Sequence, residues 1–179
     1  MSASIHTPER TLAGLTDFVL EILAVVAIDF DPKHEHPASV RAILATIVAV
    51  LGSVLANAVL VGIGTAVFPS TRGFVHFQFS DYGTFTVIGV VVACISWPLV
   101  SRVSSVPRWV LLRLVILATP VLWLPDLWIL LHGEPIRAVG VLMLMHLTIA
   151  FITYQALVHL APIRPRPDAV VGGSFPLLV

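Results

Sequence analysis

The sequence contains very little charge: Asp, Glu, Lys and Arg together make up 11% of its 179 residues. A soluble globular domain carries roughly 25% charged residues, so this composition argues against a soluble fold. Hydrophobic residues supply 58% of the chain, and its mean hydropathy is +0.99. The composition predicts an integral membrane protein in contact with the lipid bilayer. A chain of this length has room for one helical bundle but not for a separate catalytic domain.

Basic clusters and catalytic motifs are missing as well. The formal net charge is zero, and no dense run of Lys or Arg offers a surface to nucleic acid. The sequence has no Walker loop, no dinucleotide fingerprint, no His-Glu-x-x-His motif and no Gly-x-Ser-x-Gly motif. These absences favour a protein that is not an enzyme and that needs no cofactor. A cleaved signal peptide is also missing, so we expect the mature chain to begin at or near Met1.

Potential metal ligands are sparse. The single cysteine has no partner for an internal disulfide. One group of soft ligands that suit copper lies within the apolar runs: Cys94, Met143, Met145 and His146. Met143 and Met145 point to different sides of a helix, so one at most could join His146. A second group lies in a linker that we interpret as solvated: Asp31, His34, Glu35 and His36. We predict no metal site.

Four stretches of the sequence are long and apolar enough to cross a bilayer as helices. A crossing of ~30 Å of hydrocarbon needs about 20 mostly apolar residues. The four stretches cover residues 40–68, 84–100, 109–131 and 136–160. The last two links are short and force neighbouring helices to run antiparallel. We therefore predict an all-α, up-down-up-down four-helix bundle. In the longer link, residues 69–82, aromatic residues alternate with polar ones, as in a strand or an interfacial segment.

The basic residues are distributed unequally between the two sides of this bundle. The side that holds both termini and the 101–108 turn carries most of the Lys and Arg, whereas the opposite side carries only Arg72 and Arg137. Basic residues near helix ends resist translocation. We therefore predict a multi-pass protein of the cell membrane with its N- and C-termini in the cytoplasm.

Residues 1–39 precede the first span and contain a predicted amphipathic helix at about residues 8–28. Thr7 and Pro8 resemble the start of a helix. The apolar stripe consists of Leu12, Leu15, Val19, Ile22 and Val26. Its polar side is acidic, whereas a membrane-surface helix usually carries Lys and Arg there. We favour docking on a protein surface over docking on lipid, with this stripe as the partner-binding candidate. Residues 161–179 are predicted to form a flexible, Pro-rich cytoplasmic tail.

Asp126, near the outer end of the third span, is the first candidate for a ligand or proton site. An acid within a span costs about 2.5–3.5 kcal/mol even on a lenient scale, so it tends to face a cavity or a partner. An interfacial ion pair with Arg137 is the alternative. His146 lies ~15 Å along the fourth span, at a depth similar to that of Asn57, Cys94 and Thr119-Pro120. These residues form one polar layer if they face inward; alternatively, Asn57 and His146 hydrogen-bond between helices as packing contacts.

Small residues in the first span predict a close helix neighbour. They recur at four-residue spacing, which allows two backbones to approach each other: Gly52 with Ala56, and Gly62 with Ala66. The pattern does not distinguish a helix of the same chain from one of another subunit. Pro120 and Pro125 remove backbone donors from the third span and are expected to kink or loosen it.

Three short motifs carry a resemblance: Ala56-Asn57, Leu124-Pro125-Asp126-Leu127, and Leu142-Met143-Leu144-Met145-His146-Leu147. With these motifs, residues 56–160 resemble a family of small actinobacterial four-helix membrane proteins that is catalogued only as a domain of unknown function. The resemblance implies fold and lineage but no activity. It also implies that Asn57, Asp126 and His146 share a structural or functional task.

The sequence leaves three functional hypotheses. The first is a non-enzymatic accessory or assembly subunit that docks its N-terminal helix and its small-residue faces onto other membrane-protein subunits. The second is a small transporter or ligand-binding protein that forms a homo-oligomer and uses Asn57, Asp126 and His146. The third, an intramembrane enzyme using Cys94 and His146, lacks the paired carboxylates of acid/base hydrolysis.

Overall fold

Four long helices dominate this computed structural model, which describes residues 34–35, 37–104 and 106–165. The helices are α1 (Ser39–Val67), α2 (Phe79–Val103), α3 (Pro107–Leu131) and α4 (Ile136–Leu160). Each is long and apolar enough to cross a membrane. The all-α, multi-pass membrane character predicted from the sequence is therefore confirmed. The predicted amphipathic helix and its stripe lie outside the described residues.

The first helix is longer than one bilayer crossing requires. At 1.5 Å per residue, its 29 residues extend about 44 Å, against a hydrocarbon thickness of ~30 Å. α1 must therefore tilt or project beyond the hydrocarbon. The other three helices have 25 residues each, which matches one crossing with a modest tilt.

The link between α1 and α2 is helical in character, and the strand that its alternating aromatics allowed is wrong. Two 3₁₀ turns, Pro69–Thr71 and Val75–Phe77, lead directly into α2. Residues three apart share one side of a 3₁₀ turn, so Phe74 and Phe77 are both buried. Their rings meet edge to face at 5.1 Å between centroids. α2 consequently begins at Phe79, earlier than the apolar run alone predicts.

A glycine cap reverses the chain between α3 and α4. The Gly133 N–H donates to Leu130 O at 3.1 Å, and the Glu134 N–H donates to Ile129 O at 3.4 Å. This is the Schellman pattern, and it requires a left-handed residue, which Gly133 supplies with φ of 94°. The last carbonyls of α3 are thereby satisfied, and α4 begins directly after Pro135.

The fourth helix lies centrally, in contact with each of the other three and most extensively with α1. Two glycines of α1 face α4: Gly52 faces Ile152, and Gly64 faces Val141. Because the order of these contacts is opposite along the two helices, α1 and α4 run antiparallel. One buried cluster surrounds Trp97, and a second surrounds Met145.

The two ends of the described chain meet at one end of the bundle. His34–Glu35 (β1) pairs antiparallel with Arg164–Pro165 (β2). The buried Trp97 of α2 donates its indole N–H to Ala161 O at 2.9 Å. The first residues of the predicted tail are therefore held against α2 and β1. Residues 166–179 lie outside the described residues, as does His36 of the predicted linker.

Candidate ligand- or proton-binding site

Asp126 of α3 and His146 of α4 meet at the interface of their helices. The distance from Asp126 Oδ2 to His146 Nδ1 is 3.1 Å, and the exposed fractions of the two side chains are 6% and 26%. The ion pair expected between Asp126 and Arg137 is not the contact that forms. The Arg137 guanidinium lies over the Phe68 ring, 5.4 Å from its centroid. The structure therefore places a histidine, rather than an arginine, beside the buried carboxylate.

The hydrogen bonding of His146 favours Nδ1 as the nitrogen that carries its proton. His146 Nδ1 lies 3.1 Å from Leu142 O and 3.1 Å from Asp126 Oδ2. A carbonyl oxygen only accepts hydrogen bonds, so the arrangement is consistent with Nδ1 as the N–H donor. The N–H points at Leu142 O, which leaves Asp126 Oδ2 without a directed hydrogen bond among the described residues. His146 Nε2 is then the nitrogen available to a proton or a ligand.

Further polar contacts line the same helix interface. Trp123 donates its indole N–H to Met143 O at 3.1 Å, and the buried Thr119 donates to Val115 O at 2.8 Å. Thr119, Trp123 and Asp126 recur at helical spacing, so they share one face of α3. Next to them, a groove of about 350 Å³ runs between α3 and α4 and ends at Trp123 and Leu147. Asp126 lies about one turn beyond Trp123 on α3, and His146 directly precedes Leu147 on α4. The pair therefore lies just beyond that end of the groove.

Asn57 belongs to a different interface. Its side-chain amide donates to Thr86 Oγ1 of α2 at 2.9 Å, and the contact is buried. Three further buried oxygens have no hydrogen-bond partner within the described part of the chain: Ser53 Oγ, Asn57 Oδ1 and Thr153 Oγ1. The structure thus pairs Asn57 with α2 and His146 with α3, and it does not join the two residues directly.

Cys94 lies apart from both polar contacts. Its side chain is buried beside Thr46, which precedes Asn57 by eleven positions on α1. This spacing corresponds to about 16 Å along a helix. The predicted polar layer is therefore distributed over separate interfaces. Across residues 37–104 and 106–165, no three His, Cys, Asp or Glu side chains converge as a metal site.

The small residues of α1 divide between two faces. A Cβ on Gly52 would lie 3.2 Å from Ile152 Cγ2, so this glycine allows close contact with α4. Ala56 is partly buried, whereas Gly62 and Ala66 are exposed. A Cβ on Gly62 would meet no atom within 4 Å. Gly62 and Ala66 remain predicted contact points for another chain.

Three contributors were missed by the sequence analysis: Trp123, Thr86 and Gly64. Trp123 lies three positions before Asp126, a spacing that places both on one helical face. Thr86 is a polar residue within an apolar run, of the kind that bonds between spans. Gly64 is the closest glycine contact, because its Cβ would lie 3.0 Å from Val141 Cγ2. The four-residue spacing rule overlooked it in favour of Gly62.

A second Asp–His pair joins the link before α2 to the first turn of that helix, and its surroundings are more exposed. His76 Nδ1 is 2.6 Å from Asp81 Oδ2, and these side chains are 36% and 30% exposed. Water can solvate this pair in every protonation state. It is therefore a matched reference for the Asp126–His146 pair, in which the carboxylate is buried within a span.

Comparison with known protein families, with curated proteins and with solved structures finds no match to this chain.

Proposed function

We propose that this multi-pass membrane protein binds a proton or a small protonatable ligand at the Asp126–His146 pair and acts as an oligomer. One observation carries the proposal. Asp126 is only 5% exposed as a whole residue within a membrane-spanning helix, and its carboxylate lies 3.1 Å from the imidazole of His146. Buried acids in spans are expensive and commonly mark ion, proton or ligand pathways.

Burial of the pair favours its neutral state, which holds one titratable proton. The pair carries a net charge of minus one when the Asp126 carboxylate and the His146 imidazole are both unprotonated. It is neutral when one of these groups is protonated, and it carries a charge of plus one when both are. A low-dielectric interior penalises both charged states. Because Nδ1 is occupied by Leu142 O, the proton that converts imidazole to imidazolium binds at Nε2. An anionic or hydrogen-bonding ligand would approach the same nitrogen.

Transport would require more than one copy of the chain. Four helices around a filled core leave little room for a pathway, and the groove between α3 and α4 is open to the surface. In this proposal the bundle has up-down-up-down topology with both termini cytoplasmic, and Asn57 supports it from α1 through its hydrogen bond to Thr86 of α2. The lineage proposed from the motifs around Asn57, Asp126 and His146 agrees with a shared task for these residues.

Difference infrared spectroscopy of the protein in liposomes tests whether the pair binds a proton. We expect a pH-dependent carboxyl C=O band that Asp126→Asn removes and that His146→Gln shifts in its midpoint. Asp81→Asn, which alters the exposed pair, is the matched control and should leave that band unchanged. A band that persists in Asp126→Asn would contradict the proposal. In the transporter form of the proposal, Asp126→Asn also abolishes proton flux into the liposomes, whereas Asp81→Asn preserves it.

The surface of α3 favours a second candidate function, an accessory or assembly subunit. Only 11% of the most apolar stretch of α3 is buried, against 33% for α2. Leu117, Val121 and Leu124 are at least 60% exposed on this helix. A neighbouring subunit could cover this surface, and the acidic helix proposed at about residues 8–28 would add a cytoplasmic contact.

Purification in mild detergent followed by native mass measurement distinguishes the two candidates. An accessory subunit should copurify with one partner in fixed stoichiometry, and deletion of residues 1–31 should release that partner. The deletion variant must retain the unfolding temperature of the full chain for the comparison to hold. A homo-oligomer without other chains would contradict the accessory role and favour the Asp126–His146 proposal.

A further inference from the structure

The end of α1 borders a cavity that is separate from the Asp126–His146 pair. Its volume is about 400 Å³, and it lies between the last turns of α1 and the link to α2. Arg72, Gly73 and Gln78 supply its polar side, and Val61, Phe74 and Phe77 supply its apolar side. None of the described residues that line it is Asp or Glu. We propose that this cavity binds the phosphate headgroup of an anionic membrane phospholipid, with Arg72 as the residue that recognises the phosphate.

The backbone holds Arg72 at the corner of a tight turn. The Phe74 N–H donates to Thr71 O at 3.1 Å, Arg72 has φ −63° and ψ 130°, and Gly73 has φ 86°. These values define a type II turn, in which the third residue needs a positive φ and is therefore usually glycine. The buried Thr71 anchors the turn by donating its hydroxyl to Phe68 O at 2.8 Å.

The Arg72 side chain lines the cavity and makes one hydrogen bond to the backbone of α1. Arg72 Nε donates to Thr65 O at 3.4 Å, so one nitrogen holds the side chain against the last turns of α1. The two terminal nitrogens have no hydrogen-bond partner in the described part of the chain, and their planar geometry matches a phosphate. Among the described residues, no backbone carbonyl accepts from the Gly73 N–H. This N–H and the Gln78 amide add neutral donors beside the cation.

The surroundings of the cavity favour a lipid over a free phosphate ion. The cavity lies where a membrane-spanning helix ends, which is the depth of lipid headgroups. Within the cavity, Val61, Phe74 and Phe77 offer an apolar surface to the lipid beside the Arg72 guanidinium. Arg137, positioned over Phe68, adds positive charge at the same end of the bundle. Basic pockets beside apolar helices are typical sites for anionic headgroups.

Native mass spectrometry of the purified full chain tests this proposal, with phosphatidylglycerol and phosphatidylcholine of identical acyl chains as probes. We expect the wild type to retain phosphatidylglycerol in preference to phosphatidylcholine. Arg72→Gln should weaken phosphatidylglycerol binding about fivefold, the effect of one basic residue near an anionic surface. Arg108→Gln, an exposed arginine at the start of α3, makes the same charge change at the other end of the bundle and should preserve binding.

Several outcomes would overturn the proposal. Equal binding by wild type and Arg72→Gln, or equal loss in Arg72→Gln and Arg108→Gln, would remove Arg72 from the site. Displacement of the lipid by inorganic phosphate, at an ionic strength matched with chloride, would show that the cavity binds the ion without its lipid. If Arg72→Gln does not fold, Gln78→Ala provides the test, because it removes one donor at an exposed position. Asp126→Asn should leave lipid binding unchanged, which separates this test from that of the proton site.

Discussion

At the scale of single residues, the lean of helical side chains explains how Asp126 and His146 meet. Asp126 lies five positions before the end of α3, and His146 lies ten positions after the start of α4. Their Cα atoms therefore differ in depth by about 7.5 Å for straight helices. Every Cα–Cβ bond leans toward the N-terminus of its helix. α3 runs toward the Gly133 link and α4 runs away from it. The side chains of Asp126 and His146 therefore lean toward each other.

The same geometry explains why Arg137 does not reach Asp126. Arg137 is the second residue of α4, so its side chain leans past the start of the helix and away from the bundle. There it meets the ring of Phe68 at the end of α1. Judged by depth alone, Arg137 at the start of the fourth span and Asp126 near the outer end of the third span lie close enough to pair. The direction of the side chain, which depth does not describe, decides the contact.

Polar residues within the spans contribute specific contacts and leave some oxygens unused. Asn57 joins α1 to α2 through Thr86, while Ser53 Oγ, one turn earlier on the same face, has no partner among the described residues. Hydrogen bonds between spans average about 0.6 kcal/mol in measured cases. The Asn57–Thr86 contact therefore fixes the register of α1 against α2 more than it stabilises the bundle.

At the scale of helices, the contact between α1 and α4 depends on Gly64. A Cβ at this position would lie 3.0 Å and 3.4 Å from the two methyl groups of Val141. Valine in a helix has one strongly preferred rotamer, so Val141 cannot rotate away without strain. We predict that Gly64→Ala destabilises the protein, because overpacking of about 1–3 kcal/mol exceeds the gain in helix propensity of about 1 kcal/mol.

Thermal unfolding in one detergent, followed by tryptophan fluorescence, measures this effect. Gly62→Ala is the matched control, because its added methyl group meets nothing within 4 Å. We expect Gly62→Ala to unfold at the wild-type temperature or slightly above it, and Gly64→Ala to unfold lower. Equal unfolding temperatures for the two variants would show that α1 and α4 are not held at this close approach.

The helices themselves could be predicted from the sequence, but their faces could not. Apolar length determines where a span begins and ends, so α3 and α4 match their predicted ranges closely. Spacing of small residues identifies a possible contact without naming its partner. Ala45, Ala49, Ser53 and Asn57 repeat every four positions and are fully buried, whereas Gly62 and Ala66 repeat in the same way and are exposed.

The candidate site was predicted residue by residue but not as a pair. Asp126 and His146 were each recognised because ionisable groups are rare in spans. Their contact depends on how α3 rotates against α4, and that rotation is set by many apolar contacts that a single sequence does not reveal. The aromatic link is a similar case, because its alternation of residues fits a strand as well as the observed 3₁₀ turn.

At the scale of the whole molecule, the basic residues predict which end of the bundle faces the cytoplasm. One end of the bundle holds the α2–α3 turn, β1 and β2, and it carries Arg41, Arg102, Arg108 and Arg164. The opposite end of the bundle holds the α1–α2 link and carries Arg72 and Arg137. By the positive-inside rule we predict that the first end stays in the cytoplasm. The Arg72 cavity then faces the outer leaflet.

Cysteine labelling of intact cells measures this orientation. Cys94 is buried, and Cys94→Ala provides a background without thiols. Ser70→Cys and Val106→Cys introduce one thiol at an exposed position in the α1–α2 link and in the α2–α3 turn, respectively. A membrane-impermeant maleimide should label Ser70→Cys in intact cells and Val106→Cys only after permeabilisation, because Arg102 and Arg108 retain that turn in the cytoplasm. The reverse pattern would invert the bundle and place the Arg72 cavity against the cytoplasmic leaflet.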